Sequence, residues 1–149
     1  MEETMANSET NDSISFLEQL RRSVTKSGFS SFLGADPIKC SGGEAELVIP
    51  LKEQLTQHHG FAHGAVVGAA ADNACAWAAA SLAGDVVTSS YSLHLLAPAL
   101  GERLRAHGKV IKKGKRQLTV RADVFAEQGD EVKLVATALA SIAIVGRIS

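Results

Sequence analysis

The segment from Gln57 to Asp72 contains residue types that could act together on a carbonyl group. The run after His63 is predicted to be a helix that begins at about Gly64. The backbone amides of Gly64 and Ala65 then lie in its first turn. N–H groups there have no intrahelical partners and lie at the positive end of the helix dipole. Such amides can hold a developing oxyanion, and Asp72, two turns later, could supply a base or nucleophile. The pattern therefore indicates acyl transfer to water.

Asp72 also permits a purely structural interpretation. Gly68, Asp72 and Ala76 share one helix face at four-residue spacing, so the carboxylate projects from a surface of small groups. It needs a partner there, because burying an unpaired charge is costly. Asp72 could cap a loop, or it could pair with Arg103 or Arg121 on a predicted strand. The residues alone leave the structural and the chemical interpretations open.

The histidines and cysteines are the other candidates for chemistry, as metal ligands. His59 and His63 have the four-residue spacing that lets two imidazoles on one helix share zinc. However, Gly60 replaces the glutamate base of that motif and no third ligand lies nearby, so we expect no metal. Cys40 and Cys75 lie far apart in dissimilar surroundings, which indicates neither a disulfide nor a thiolate metal site.

The composition indicates one globular domain. The chain has 149 residues, of which 46% are hydrophobic and 21% charged, and its formal net charge is −1. This balance suits a single core and gives no general attraction to nucleic acid or acidic lipid. A disordered tail is expected over residues 1–12 and one domain over 13–149. We expect a cytoplasmic protein that does not enter membranes, because no secretory signal is evident and polar residues interrupt the most apolar run.

Hydrophobic periodicity predicts an α+β domain. A short amphipathic helix ended by Gly28 precedes a strand, a long helix over about residues 63–82 follows, and four further antiparallel strands complete the chain. Glycine and alanine fill most of the long helix, so a curved sheet could approach it closely. The inward faces of the strands are predicted to contain Ala45, Leu47, Ile49, Tyr91, Leu93, Leu95, Leu104, Ala106, Gly108, Val110, Leu118, Val120, Ala122, Val124, Val132, Leu134, Ala136, Ala138, Ala140, Ile142 and Ile144.

The segment "QHHGFAHGA", followed by Asp72, resembles the signature of PaaI-like acyl-CoA thioesterases of the hotdog fold. That signature is usually Asn-x-x-Gly-x-x-His-Gly-Gly, with an aspartate at this distance. Thr88, ten residues before Pro98, and the basic turn in "KVIKKGKRQLTV" are similar to the family too. The likeness extends from about Phe32 to Val145.

The resemblance implies a long central helix wrapped by a curved antiparallel sheet, with a short helix before it. It also implies a homodimer as the smallest active unit, commonly assembled into a tetramer. The active site would lie across the dimer interface, where Gly64 and Gln57 of one protomer face Asp72 of the other. No cofactor is implied apart from the coenzyme A of the substrate.

The same resemblance assigns roles to individual residues. Asp72 would be the general base or the nucleophile, and the Gly64 N–H would polarise the thioester carbonyl. Gln57, in place of the usual Asn, would orient the water or the carbonyl. Thr88 would hydrogen-bond the attacking water or the Asp72 carboxylate.

The remaining candidates would contact the substrate or shape its entrance. His63 would fix the entry loop, and Ala65, in place of the second Gly, would narrow the acyl pocket while leaving its amide available. The basic turn would be either a solvated hairpin or the site that holds the coenzyme A phosphates. Its side chains are Lys112, Lys113, Lys115 and Arg116.

Two other functions are consistent with a hotdog domain. A hotdog enoyl-CoA dehydratase or hydratase would pair a catalytic His with Asp or Glu in different motifs. A non-catalytic acyl-CoA binding module would keep the pocket without the chemistry. The combination of Asp72, Gln57 and Thr88 favours a metal-free hydrolase that converts an acyl-CoA thioester to a carboxylic acid and coenzyme A.

Overall fold

The computed structural model describes residues 16–146. The predicted tail over residues 1–12 and the predicted helix caps at Ser13 or Ser15 therefore lie outside the described residues. The helices are α1 (16–26), α2 (Gly28–Leu33) and α3 (Gly64–Ala83), with a 3-10 turn at Glu53–Leu55. The strands are β1 (Asp36–Ser41), β2 (Glu44–Pro50), β3 (Val86–Leu95), β4 (Arg103–Lys113), β5 (Gln117–Gln128) and β6 (Glu131–Ile144).

The N-terminal helical segment differs from the prediction at Gly28. This residue was expected to end the first helix, but it begins α2 instead. Ser27 interrupts the helix, and its hydroxyl accepts a hydrogen bond of 3.4 Å from the Ser30 N–H. Ser27 caps the start of a new helix, and this cap outweighs the tendency of Gly28 to end one.

The edge strand β1 was not predicted. Its sequence, DPIKCS, lacks regular alternation and contains Pro37, which cannot donate a ladder hydrogen bond. β1 pairs with β2 in the antiparallel direction, with an irregularity between Pro37 and Lys39. Proline is tolerated here because β1 is the first strand of the sheet and has only one partner.

The six described strands form one antiparallel sheet in the order β1-β2-β4-β5-β6-β3. β3 lies at the far edge beside β6, although β4 follows it in the sequence. α3 contacts all six strands, so the sheet curves around this helix. By length and composition alone α3 could cross a membrane. Helices in the core of a protein meet the same criteria, and half of the apolar stretch of α3 is buried inside this fold.

Small side chains bring α3 and the sheet into backbone contact, as predicted. Ala70, Ala74 and Ala78 on α3 are fully buried. On β4, a Cβ added at Gly108 would lie 2.3 Å from the backbone oxygen of Ala74. The alanine-rich helix therefore fits a sheet that leaves no room for side chains at the closest approach.

The predicted inward face of β6 is wrong at the start of the strand. Val132 and Leu134 are 61% and 43% exposed, whereas Val135 is fully buried. The pairing of β5 with β6 shifts at this point, which places one extra residue on β6. Because a β-bulge reverses the faces of the residues on either side, the predicted alternation holds only from Ala136 onward.

Candidate active site

His63 determines where α3 begins. Its backbone is extended, with φ −60° and ψ 139°, and its Nδ1 accepts a hydrogen bond of 2.9 Å from the Ala65 N–H. A side-chain acceptor at this position satisfies one of the free N–H groups of the first helical turn. The Ala65 amide, which was expected to be available to a ligand, is therefore already used by His63.

Gly64 is the first residue of α3 and lies at an apolar cavity. As expected for this position, its N–H has no hydrogen-bond partner among residues 16–146. A Cβ added at Gly64 would lie 3.2 Å from Leu95 Cδ1, so a larger residue would crowd β3. The cavity has a volume of about 310 Å³, and its other walls are Phe61, Ala62, Val67, Leu95, Leu96, Ala97, Pro98 and Ala99.

Asp72 on α3 is bonded to Thr88 on β3. Thr88 Oγ1 donates a hydrogen bond of 2.6 Å to Asp72 Oδ1, and both residues are half-buried. The two arginines considered as partners, Arg103 and Arg121, pair with carboxylates on β5 instead. The structure thus contradicts an ion pair as the explanation of Asp72, and it leaves the second carboxylate oxygen free of partners among the described residues.

A β-bulge in β3 brings Thr88 to the helix side of the sheet. Thr88 and Tyr91 are three residues apart, so in a regular strand they would point to opposite faces. The pairing of β3 with β6 shifts by one residue at Ser89, which restores both side chains to the same face. Thr88 therefore reaches Asp72, while Tyr91 lies over Gly68, one helical turn earlier on α3.

Gln57 closes the turn that leads into α3. Its side-chain Oε1 accepts a hydrogen bond from the His59 N–H. Its backbone exchanges two further bonds of 2.9 Å, with the Phe61 carbonyl and the Gly60 N–H. Within residues 16–146 the Gln57 side chain makes no hydrogen bond to Gly64 or Asp72, so its predicted role toward the water or carbonyl is not visible in a single chain.

The basic turn between β4 and β5 lies at the other end of α3. Lys113 Nζ donates a hydrogen bond of 3.2 Å to the Leu82 carbonyl, in the last turn of the helix. Cations are favourable there because the C-terminal end of a helix is negative. Lys112 and Lys113, with Lys109, line a cavity of about 490 Å³, and Lys115 and Arg116 are exposed at the tip of the turn.

Within one chain the candidate groups are brought together only in part. Asp72 and Thr88 are in contact. Gly64 precedes Asp72 by eight helical residues, which is about 12 Å along the axis at 1.5 Å per residue. By the same measure about 27 Å separates Gly64 from Leu82, where the basic turn lies.

The two cysteines are not available as nucleophiles near neutral pH. Burial raises the pKa of the Cys40 thiol to about 11. Burial, with a smaller contribution from the nearby Asp72 charge, raises the pKa of Cys75 to about 12. Both thiols therefore stay protonated, and among the residues that the structure describes no three His, Cys, Asp or Glu side chains converge as metal ligands.

The wall of the cavity and the position of Tyr91 over Gly68 were not predicted from the sequence. Phe61 and Leu96 flank motif residues, but their positions depend on how the entry loop folds against β3. Tyr91 was placed correctly on the inward face of β3, but its contact with Gly68 was not predicted. That contact, one helical turn before Asp72, arises from the bulge at Ser89, for which "TSSY" gives no clear signal.

The chain is similar to proteins of known family. It matches the thioesterase superfamily over residues 59–133. A protein of Saccharolobus solfataricus, named as a candidate esterase, is 31% identical over 112 residues, which are 74% of this chain and 78% of that protein. The structure of a thioesterase family protein from Silicibacter pomeroyi has a TM-score of 0.82 at 32% identity, covering 88% of this chain and 99% of that chain.

Two PaaI proteins share the fold. The Escherichia coli PaaI protein, from the phenylacetic acid degradation operon, has a TM-score of 0.81 at 22% identity over 90% of this chain and 96% of that chain. A variant of the Thermus thermophilus phenylacetic acid degradation protein PaaI has a TM-score of 0.71 at 28% identity over 80% of this chain and all of that one. The chain therefore belongs to the thioesterase superfamily, with the hotdog fold and the PaaI-like pattern that the resemblance predicted, and its class of activity is thioester hydrolysis.

Proposed function

We propose that this protein hydrolyses an acyl-CoA thioester to a carboxylic acid and free coenzyme A, with Asp72 as the general base. The observation that carries the proposal is the hydrogen bond from Thr88 to Asp72. Within residues 16–146 this half-buried carboxylate is held by one hydroxyl and paired with no cation, so it keeps a free oxygen for a proton.

The reaction needs one proton acceptor and one oxyanion donor. Asp72 takes a proton from water as the water oxygen bonds to the thioester carbon. The carbonyl electrons move to oxygen, where the Gly64 N–H and the positive end of α3 stabilise the charge. The C–S bond then breaks as the carbonyl reforms, and the proton on Asp72 passes to the coenzyme A thiolate.

A second copy of the chain supplies the missing geometry. A separation of about 12 Å along the helix is too long for Gly64 and Asp72 of one chain to act on the same carbonyl. β3 is a sheet edge with one partner strand, and large apolar residues are exposed on or just beyond it: Val87, Tyr91, Leu95 and Leu96. An unpaired edge of this kind favours pairing with another strand.

A symmetric dimer uses the same surface on both chains, so β3 would pair with its own copy. A two-fold axis perpendicular to these strands would make the two β3 strands antiparallel, and with them the two α3 helices. The start of one α3 would then lie toward the middle and end of the other. Gly64 of one protomer would approach Asp72 of its partner. The basic turn, at the end of α3, would then lie about 15 Å along the axis from the partner's Gly64, compared with about 27 Å within one chain. The coenzyme A phosphates could be held at that turn by Lys113, Lys115 and Arg116. The active unit is thus proposed to be a homodimer, assembled further into a homotetramer.

The proposal is tested by free-thiol release from a panel of aromatic, short-chain and medium-chain acyl-CoAs. We expect turnover of at least one class by the wild type, and loss of about a thousandfold or more in kcat for Asp72→Asn, since the amide cannot accept the proton. Asp130→Asn, in the exposed β5–β6 turn, is the matched control. Binding without turnover would favour the binding module, and hydration of an enoyl-CoA without thiol release would favour the dehydratase.

A further inference from the structure

Tyr91 lies against Gly68, one helical turn before Asp72, and has no part in the chemistry proposed so far. The bulge at Ser89 turns its ring toward α3. A Cβ added at Gly68 would lie 3.2 Å from Tyr91 Oη and 3.3 Å from Leu93 Cδ2. Gly68 precedes Asp72 by one helical turn on the same face, so the phenol hydroxyl lies close to the helix on the N-terminal side of the carboxylate.

The Asp72 side chain is directed toward the same place. Helical side chains lean toward the N-terminus and cover the turn before their own Cα. Asp72 therefore leans toward Gly68, against which Tyr91 Oη already packs. The Asp72 carboxylate and the Tyr91 hydroxyl thus lie over the same turn of α3.

The polar side chains of the candidate site differ in what they already bind. Thr88 donates to Asp72 Oδ1, and Gln57 Oε1 accepts from the His59 N–H. Among residues 16–146 the Tyr91 hydroxyl forms no hydrogen bond, and the Tyr91 residue as a whole is 44% exposed. A hydroxyl so placed can bind a water molecule that also reaches the free oxygen of Asp72.

We infer that Tyr91 is a catalytic residue that holds the hydrolytic water together with Asp72. This inference rests on the proposed thioesterase function. The water donates one hydrogen to Asp72, which removes it, and the other to Tyr91 Oη, which keeps it in place. A lone pair of the water oxygen is thereby directed at the thioester carbon. Tyr91 neither gains nor loses a proton, and the C–S bond breaks with proton return from Asp72 as before.

The direct test is Tyr91→Phe, which removes only the hydroxyl. We expect kcat to fall between about 10- and 100-fold, because a poorly oriented nucleophile slows the chemical step. KM should change less than about twofold, because the hydroxyl contacts the water and not the substrate. Ser92→Ala, which removes a hydroxyl from an exposed neighbour on β3, should keep the wild-type kcat.

A second variant, Gly68→Ala, crowds the hydroxyl itself. The added methyl would lie 3.2 Å from Tyr91 Oη and 3.3 Å from Leu93 Cδ2, so the hydroxyl would have to move away from the position that holds the water. Since alanine favours a helix more than glycine does, Tm should not fall by more than a few degrees, while kcat should fall at least about tenfold. This variant tests the same hydroxyl position if Tyr91→Phe alters folding or assembly.

The outcomes separate this inference from the proposed function. Wild-type kcat in Tyr91→Phe, or a raised KM with unchanged kcat, overturns the role of Tyr91 even if Asp72→Asn is inactive. Wild-type kcat in Gly68→Ala overturns the location of the water. Failure of the wild type to release thiol from any acyl-CoA would instead reject the thioesterase proposal on which the inference rests.

Discussion

At the scale of single residues, the central feature is a carboxylate supported by a hydroxyl. Asp72 projects from a helix of small side chains, where an unpaired charge would be unfavourable. The structure gives it a neutral donor, Thr88, instead of the arginine that the sequence also allowed. A neutral donor keeps Asp72 in one orientation without neutralising the charge that a general base needs.

Thr88→Val tests this support, since valine has the same shape without the hydroxyl. Hydrogen bonds to charged groups contribute about 1.5–3 kcal/mol, so we expect kcat to fall between about 10- and 100-fold. Thr88→Ser keeps the donor and should stay within a few-fold of the wild type. Equal kcat values for the valine and serine variants in steady-state assays would contradict the role of the hydroxyl.

The two thiols give a prediction about reactivity. A raised pKa means that a thiol becomes a thiolate only at higher pH, and the values of about 11 for Cys40 and about 12 for Cys75 lie well above pH 8. Native protein should therefore react negligibly with a thiol reagent at pH 8, and unfolded protein should titrate both cysteines of the chain. Rapid labelling of the native protein would show that burial does not protect these groups.

At the scale of elements, the sequence predicted what depends on periodicity and missed what depends on pairing. Helical spacing predicted the long helix, and alternation predicted the inward faces of β2, β4 and β5. Turn residues predicted the connections from β4 to β5 and from β5 to β6. β1 was missed because Pro37 and its irregular pattern resemble a loop. The bulges in β3 and β6 were missed because each is defined by its partner strand.

The same distinction applies to the candidate site. Gly64 and Asp72 were predicted from their positions on the helix, and the resemblance to a known signature added His63 and Thr88. The use of the Ala65 amide by His63 and the engagement of Gln57 within its own turn depend on side-chain orientation. The position of Tyr91 depends on one inserted residue, and no spacing rule predicts it.

Gly108→Ala tests the close approach of α3 to the sheet. The added Cβ would lie 2.3 Å from a backbone oxygen of α3, and neither backbone can yield without moving its whole element. Overpacking usually costs about 1–3 kcal/mol, and we expect a loss of unfolding free energy at or above the top of that range. Gly28→Ala, where nothing lies within 4 Å of the added Cβ, is the control in chemical denaturation.

At the scale of the whole molecule, the fold separates the parts of its proposed site. One chain holds Asp72 and Thr88 near the middle of α3, Gly64 at its start, and the basic turn at its end. With Gly64 level with the partner's Asp72, an antiparallel partner would close the first separation and shorten the second from about 27 Å to about 15 Å. This arrangement would also cover the apolar residues left exposed along β3, such as Val87 and Leu95.

Complementation between two inactive variants tests this account most directly. Gly64→Val should block the oxyanion site and Asp72→Asn should remove the base, so each pure protein should be inactive. In a dimer that contains one chain of each kind, one site combines the intact Gly64 of one chain with the intact Asp72 of the other. Random co-assembly should therefore restore about a quarter of wild-type acyl-CoA hydrolysis. Purified mixed dimers that remain as inactive as either parent would contradict a site built from Gly64 and Asp72 of opposite protomers.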